Sequence, residues 1–217
     1  MRARVWVVGG SRGIGATLAA ELEPAFAVER LSRGSGFEAS APGAAAARLA
    51  GGTPWGWVHC PGEFLERDVL ATTDAEWLTL LESNLWSFVR LARDVIPAMV
   101  AAGGGRVLAF GAAGLGSNTG KVRGPAYFAV KAALWSVVRT LARDYAEAGV
   151  TVNMLSPGLV AHPHSHRASQ ERIANRVPAG RLGTPGDLVG LVRLLLSDEA
   201  AYLTGQEIAV DGGLGLV

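Results

Sequence analysis

Arg4-Val5-Trp6-Val7-Val8 is a short continuous apolar run of the kind that a parallel strand, buried on both faces, requires. A glycine turn, Gly9-Gly10-Ser11-Arg12-Gly13-Ile14-Gly15, follows at once, and Ala16-Thr17-Leu18-Ala19-Ala20-Glu21-Leu22 continues as a helix. Strand, glycine turn and helix in this order commit the chain to an α/β fold and make the turn a candidate anion cradle. Glycines let the backbone approach a pyrophosphate closely, and its charge then meets the free N–H groups and positive dipole end of the helix. A plain strand-to-helix turn would share the order, so the remaining motifs must decide between the two.

The chain has 217 residues, which suits one domain over 1–217 with a single core. Its 20 basic residues balance 19 acidic ones, so no overall field would draw nucleic acid or a membrane surface. One cysteine, Cys60, excludes an internal disulfide and a cysteine metal cluster and fits a cytoplasmic setting. Val5 to Val8 is too short for a secretory signal, and no apolar stretch approaches a membrane span. Small molecules are the expected partners.

Tyr127 and Lys131 stand four apart in Ala126-Tyr127-Phe128-Ala129-Val130-Lys131, which puts them on one helical face. An ammonium beside a phenol favours phenolate, lowers the phenol pKa and prepares a proton donor for a carbonyl oxygen. Alone, the pair reads better as a half-buried tyrosine with a solvated lysine. The glycine spacing GxxxGxG, followed in order by Asn84, the Tyr127/Lys131 pair, Asn153-Met154-Leu155-Ser156-Pro157-Gly158, Arg181-Leu182-Gly183-Thr184-Pro185 and Asp211-Gly212-Gly213, resembles the short-chain dehydrogenase/reductase family over nearly the entire chain. That resemblance implies a Rossmann-like, doubly wound, mostly parallel sheet of about seven strands, with helices on both faces and the site at the strand C-termini.

It also implies a nicotinamide cofactor held by Gly9, Ser11, Arg12, Gly13, Ile14, Gly15, Arg33, Gly62, Tyr127, Lys131, Pro157, Gly158, Val160 and His162. After the second strand, Ala27 to Leu31, the chain places Ser32 and Arg33 where an acid would accept from adenosine ribose hydroxyls. With Arg12 nearby, two guanidiniums suit a 2′-phosphate, so NADPH is expected over NADH, although Arg33 could equally be a solvated loop charge. His59, Cys60 and Pro61 replace the family's Asn-Asn-Ala before Gly62, and Cys60 reads as a small apolar filler. Between them, Gly36 to Ser40 is a candidate minimal strand and Ala44 to Ala50 a two-turn helix.

Thr73-Asp74-Ala75-Glu76 caps a long helix with Leu78, Leu81, Leu85, Phe88, Ala92, Val95 and Met99 at helical spacing, and Asn84 lies beside that stripe. In the family the matching Asn orders a relay water next to the lysine; a structural amide bonded to a neighbouring strand is the other reading. The fifth strand, Gly105 to Phe110, should end in the serine that bonds the substrate carbonyl. Aligning on the strand end gives Gly111, and counting back from Tyr127 by the family's usual interval gives Gly114. The longer loop offers Ser117, Asn118 and Thr119 instead, so Ser117 is the expected substitute; a hydroxyl on the substrate or a site without turnover are the alternatives.

His162-Pro163-His164-Ser165-His166-Arg167 is not read as a metal site, because Pro163 breaks a helix and no cysteine or acid joins it. It falls in a substrate lid spanning about 159–180. Lys121 and Arg123 on the neighbouring loop make the mouth locally basic, fit for an anionic substrate or a carrier-bound acyl group. The chain is expected to be an NADPH-dependent ketoreductase, a homodimer or homotetramer, with Tyr127, Lys131, Asn84 and Ser117 catalytic. An NADPH-binding interaction or regulatory protein with a decayed site is the rival. Enoyl reduction is disfavoured, since enoyl reductases of the family usually space Tyr and Lys more widely.

Overall fold

The computed structural model of the protein describes residues 2–116, 120–121, 123–161 and 174–216. The N-terminal run forms β1 (Arg4–Val8), the glycine turn opens α1 (Gly13–Leu22), and β2 (Ala27–Leu31) follows. After α2 (Ala46–Leu49) and β3 (Gly56–His59) come α3 (Asp74–Leu81), a π turn over Glu82–Trp86, and α4 (Ser87–Ala101). Then β4 (Gly105–Phe110), α5 (Pro125–Tyr145), β5 (Val150–Pro157), α6 (Gly186–Leu196) and β6 (Glu207–Val210) complete the chain. The strands pair in the order β2-β1-β3-β4-β5-β6, every neighbouring pair parallel. The order reverses between β1 and β3, which opens a crevice above their C-terminal ends.

Side chains alternate along each strand and divide the core in two. Trp6, Trp57, Val107, Ala109, Val152 and Met154 face a layer closed by α4 and α5, where Phe88, Leu91, Val95, Leu134 and Val138 pack. Val5, Val7, Val58, Leu108, Phe110 and Leu155 face the other layer, closed by Leu18 and Leu22 of α1 and Leu188, Val192 and Leu195 of α6. Both faces of the central strands are therefore dry, as their unbroken apolar runs require.

Among the described residues six strands form, not the expected seven. The candidate strand Gly36–Ser40 is consumed by turns: Gly36, at φ +74°, ends a 3-10 turn, the Phe37 N–H bonds Ser32 O, and the Ala41 N–H bonds Glu38 O. Backbone groups used locally cannot extend a sheet. Phe37 and Ala39 are still buried in the core, and the following helix shrinks to the single turn of α2. β2 is left at the edge of the sheet, where Glu29 bonds Arg4 at 2.6 Å and Arg48 at 3.3 Å.

The long helix also divides. Thr73 caps α3 reciprocally with Glu76, as its sequence suggests. The π turn then changes the phase, so the apolar stripe of α4 does not continue back to Leu78, which is 61% exposed. The same turn carries Asn84 inward to complete burial.

Candidate functional site

Gly9 and Gly13 in the turn after β1 adopt φ of +79° and +56°, which side chains disfavour. A Cβ on Gly10 would lie 2.8 Å from Val7 O, and one on Gly15 would collide with the Gly9 carbonyl. No side chain caps α1, so its first N–H groups are left for an outside acceptor. Arg12, the residue before the helix, and Ser11 stand exposed beside them.

A cleft of about 1930 Å³ runs from this turn across the strand ends to α5. It exceeds the ~300–1,000 Å³ that holds one ordinary ligand. Gly9, Ser11, Arg12, Gly13, Ile14, Gly15, Arg33, Gly62, Tyr127, Lys131, Pro157, Gly158 and Val160 all line it. His162, the remaining expected cofactor position, lies outside the described residues. Ser32 and Arg33 stand at the end of β2 without an adjoining acid in sequence, but Glu63 reaches Arg33 at 3.6 Å. The residues present fit a nicotinamide dinucleotide, because the turn leaves backbone donors and no Cβ where a pyrophosphate would approach.

Lys131 is 3% exposed, and its Nζ donates to Phe110 O at the end of β4, at 2.7 Å. Burial pulls the ammonium down to about 8, against a smaller upward pull from Cys60. Nζ is 5.6 Å from the Tyr127 ring centre. Tyr127 packs edge-on against Phe64 at 5.1 Å and Phe128 at 5.6 Å. Its phenol is raised above the ordinary value by burial, which corrects the expectation of a lowered one. The ammonium is engaged by a carbonyl, so desolvation decides the direction.

Asn84 sits behind Gly62, outside the cleft wall. Its Nδ2 meets Glu63 O and Leu80 O at 3.0 Å and Ser83 Oγ at 3.1 Å, which fixes the amide's orientation. Oδ1 is buried without a protein partner. A Cβ on Gly62 would collide with that oxygen and lie 3.3 Å from Lys131 Nζ, so amide and ammonium converge beneath Gly62. Ser83 was not foreseen, although its position beside Asn84 is legible; its hydroxyl also accepts from the Glu63 N–H at 3.2 Å.

His59 Nε2 lies 3.0 Å from Ser87 Oγ, and because that hydroxyl donates to Ser83 O at 2.7 Å, the imidazole proton belongs on Nε2. Burial, aided by Lys131, pushes the imidazole down to about 3. The unfolded chain therefore takes up a proton near pH 6.5 that the folded chain refuses until about pH 3. Stability at neutral pH is lost as pH falls through that window, by up to about 5 kcal/mol from this group. His59→Gln should shift the acid midpoint of unfolding, followed by circular dichroism, to lower pH; an unchanged midpoint would mean that other groups control it. Cys60 lines the cleft with its thiol pushed up to about 12, chiefly by burial, and so stays protonated.

Gly111 is excluded as an open serine position. Its N–H continues the ladder to Leu155 O, and a Cβ there would collide with the buried Ser156 hydroxyl and lie 2.7 Å from Met154 Sδ. Gly114 has φ +75°, so the second count also lands on backbone that disfavours a side chain. Residues Gly111-Ala112-Ala113-Gly114-Leu115-Gly116 carry no side-chain donor. Ser117, Asn118 and Thr119 lie outside the described residues, as does the 162–167 histidine segment. Among the described residues no group of acids, His and Cys could hold a metal, and no helix is long and apolar enough to cross a membrane.

A family model described as Enoyl-(Acyl carrier protein) reductase matches residues 44–215. The 3-oxoacyl-[acyl-carrier-protein] reductase FabG of Escherichia coli K12 is 38% identical over 148 residues, 66% of this chain and 59% of that relative. The aligned stretch thus spans less than two thirds of the relative's length. Among solved structures, a 3-oxoacyl (acyl-carrier-protein) reductase from Agrobacterium tumefaciens C58 with NADP bound superposes with a TM-score of 0.86 at 27% identity, covering 97% of this chain and 93% of that one. A protein from Thermus thermophilus superposes with a TM-score of 0.88 at 30% identity, covering 100% of both.

Proposed function

The chain belongs to the short-chain dehydrogenase/reductase family, and on that premise we propose that it reduces a ketone to an alcohol with NADPH. The observation that carries this reading is the convergence in one cleft of a glycine anion cradle, Tyr127 and Lys131. Bound NADPH would supply the hydride. Arg12 and Arg33 would hold the 2′-phosphate, and the glycine turn with the start of α1 would hold the pyrophosphate. Tyr127 would deliver its proton to the carbonyl oxygen, for which a raised phenol pKa keeps the proton in place at neutral pH. Lys131, bonded to Phe110 O, would present its remaining N–H groups to the cofactor ribose. The orphan Oδ1 of Asn84 would accept from a water shared with Lys131 and so replenish the proton.

A carrier-bound or free β-ketoacyl group is the substrate class that the relatives' names favour. Phe64 and Leu78, 45% and 61% exposed on the cleft wall, give it apolar surface. A cytoplasmic homodimer or homotetramer remains part of this proposal. The family description raises enoyl reduction as the competing reaction, and the four-residue Tyr127–Lys131 spacing favours the ketone. The missing hydroxyl on Gly111–Gly116 favours the rival, a cofactor-binding protein without turnover.

Cofactor titration followed by nucleotide fluorescence, then a panel of β-ketoacyl thioesters, enoyl thioesters, quinones and aromatic ketones, separates these readings. Binding of NADPH with a β-hydroxy product supports the proposal; a saturated product supports enoyl reduction; tight binding with no turnover supports the rival. Arg33→Ala should weaken NADPH about tenfold and leave NADH unchanged, because it removes a charge-assisted contact worth ~1.5–3 kcal/mol before solvent screening. Equal loss for both nucleotides would remove Arg33 from the specificity argument.

A further inference from the structure

We propose that the ammonium of Lys121 takes the place of the missing serine as the hydrogen-bond donor to the substrate carbonyl oxygen, an inference that rests on the ketoreductase reading above. Lys121 lines the cleft together with Tyr127, Phe128 and Lys131. Its Nζ lies 3.2 Å from where a Cβ on Gly114 would stand, so it occupies the space that a side chain at this point of the loop would fill. Gly114 is also where the interval from Tyr127 locates the serine. The same Nζ is 5.2 Å from the Phe128 ring, whose neighbour is the Tyr127 ring at 5.6 Å. The ammonium therefore lies against the aromatic wall that carries the proton donor.

Among the described residues of the loop, Arg123 is the other cation on the cleft, and its Nε is held by Glu66 at 3.3 Å. Gly111 is blocked by Ser156 and Met154, and Ala112 and Ala113 end in methyl groups. An ammonium meets the chemical need, since negative charge develops on the oxygen as hydride arrives and a cationic donor stabilises it more than a neutral hydroxyl does. A reduced nicotinamide held in the cleft would supply the hydride for the new C–H bond and leave as the oxidised cofactor. The carbonyl π pair moves to oxygen, the Tyr127 O–H bond breaks to give that oxygen its proton, and Lys121 donates a hydrogen bond without losing a proton.

Lys121 in this role differs from a mouth cation that merely attracts an anionic substrate. The test uses an uncharged β-keto ester beside a carrier-bound β-ketoacyl thioester, with wild type, Lys121→Met, Lys121→Arg, Ser117→Ala and Tyr127→Phe. We expect Lys121→Met to lower kcat about 100-fold on both substrates with little change in KM, while NADPH affinity by fluorescence stays at the wild-type value. Lys121→Arg should recover most of the rate. In the Lys121→Met background, Ala112→Ser should restore part of kcat, which a purely structural lysine would not allow. An effect of Lys121→Met confined to KM for the anionic substrate would overturn the assignment, as would a wild-type kcat. Loss of kcat in Ser117→Ala while Lys121→Met keeps full activity would return the role to Ser117. If Tyr127→Phe is inactive while Lys121→Met is normal, only this inference fails; if wild type reduces no ketone, the reading it rests on fails with it.

Discussion

Tyr127→Phe should reduce kcat for ketone reduction by about 10²–10⁴-fold, the range that a positioned general acid contributes. The substitution removes one oxygen and keeps the ring, so the edge-on contacts with Phe64 and Phe128 survive. Melting temperature and NADPH affinity should therefore stay near those of wild type, and the loss should fall on kcat with KM little changed. That pattern assigns the proton to the phenol. Turnover that is unaffected by the substitution would remove Tyr127 from the chemistry and with it the mechanism. A parallel loss of folding would instead show that the hydroxyl has a structural role.

Lys131→Met should lose at least about 10²-fold in kcat/KM and yet give a more stable ligand-free protein. Folding pulls the ammonium from 10.5 to about 8 because it is desolvated beneath Gly62, a penalty of about 3 kcal/mol at neutral pH. The sign is that of a cation depressed by folding: the unfolded chain binds the proton more tightly, so the penalty is full below pH 8 and fades as pH rises toward 10.5. Methionine removes the charge but leaves Phe110 O without its donor, which returns about 1 kcal/mol. The net gain of about 2 kcal/mol corresponds to about 4–8 °C in melting temperature at pH 7. The difference between variant and wild type should shrink toward pH 10. The same titration should appear in wild-type kcat/KM as a falling limb above about pH 8. A less stable variant, or a gap independent of pH, would contradict the assigned charge state.

The parts of the molecule fixed by short-range rules were readable from the chain. β1, its glycine turn and α1 follow from an apolar run, positive-φ glycines and a helix start within a few residues of one another. The capped start of α3 is likewise local. What failed depended on distant partners. Gly36–Ser40 has the residues of a strand, but its backbone bonds are taken by turns, and that competition is invisible in a pattern of side chains. The helical stripe through Leu78 assumed one continuous period, whereas the π turn inserts a phase change that buries Asn84 and exposes Leu78.

The site shows the same division. Spacing brought Tyr127 and Lys131 to one face of α5, but the carbonyl that engages Lys131 belongs to β4, and so the direction of the phenol's shift could not be read. The chain alone gave two addresses for the absent serine. Packing closes one, because Ser156 of the next strand already fills the space beside Gly111, and brings Lys121 to the other, at Gly114. His59 was legible only as a departure from an Asn, while its partner Ser87 required the fold.

The most direct test of the central claim is a single product analysis. NADPH deuterated at nicotinamide C4 is incubated with a β-ketoacyl thioester and the wild-type protein, and the products are examined by mass spectrometry and NMR against the cofactor consumed. A cleft that works as described should yield one β-hydroxyacyl product per NADPH oxidised, with deuterium on the carbinol carbon. Bound NADPH that is never oxidised on the β-ketoacyl thioester, while a parallel incubation with an enoyl thioester gives a deuterated saturated chain or no product, would contradict it.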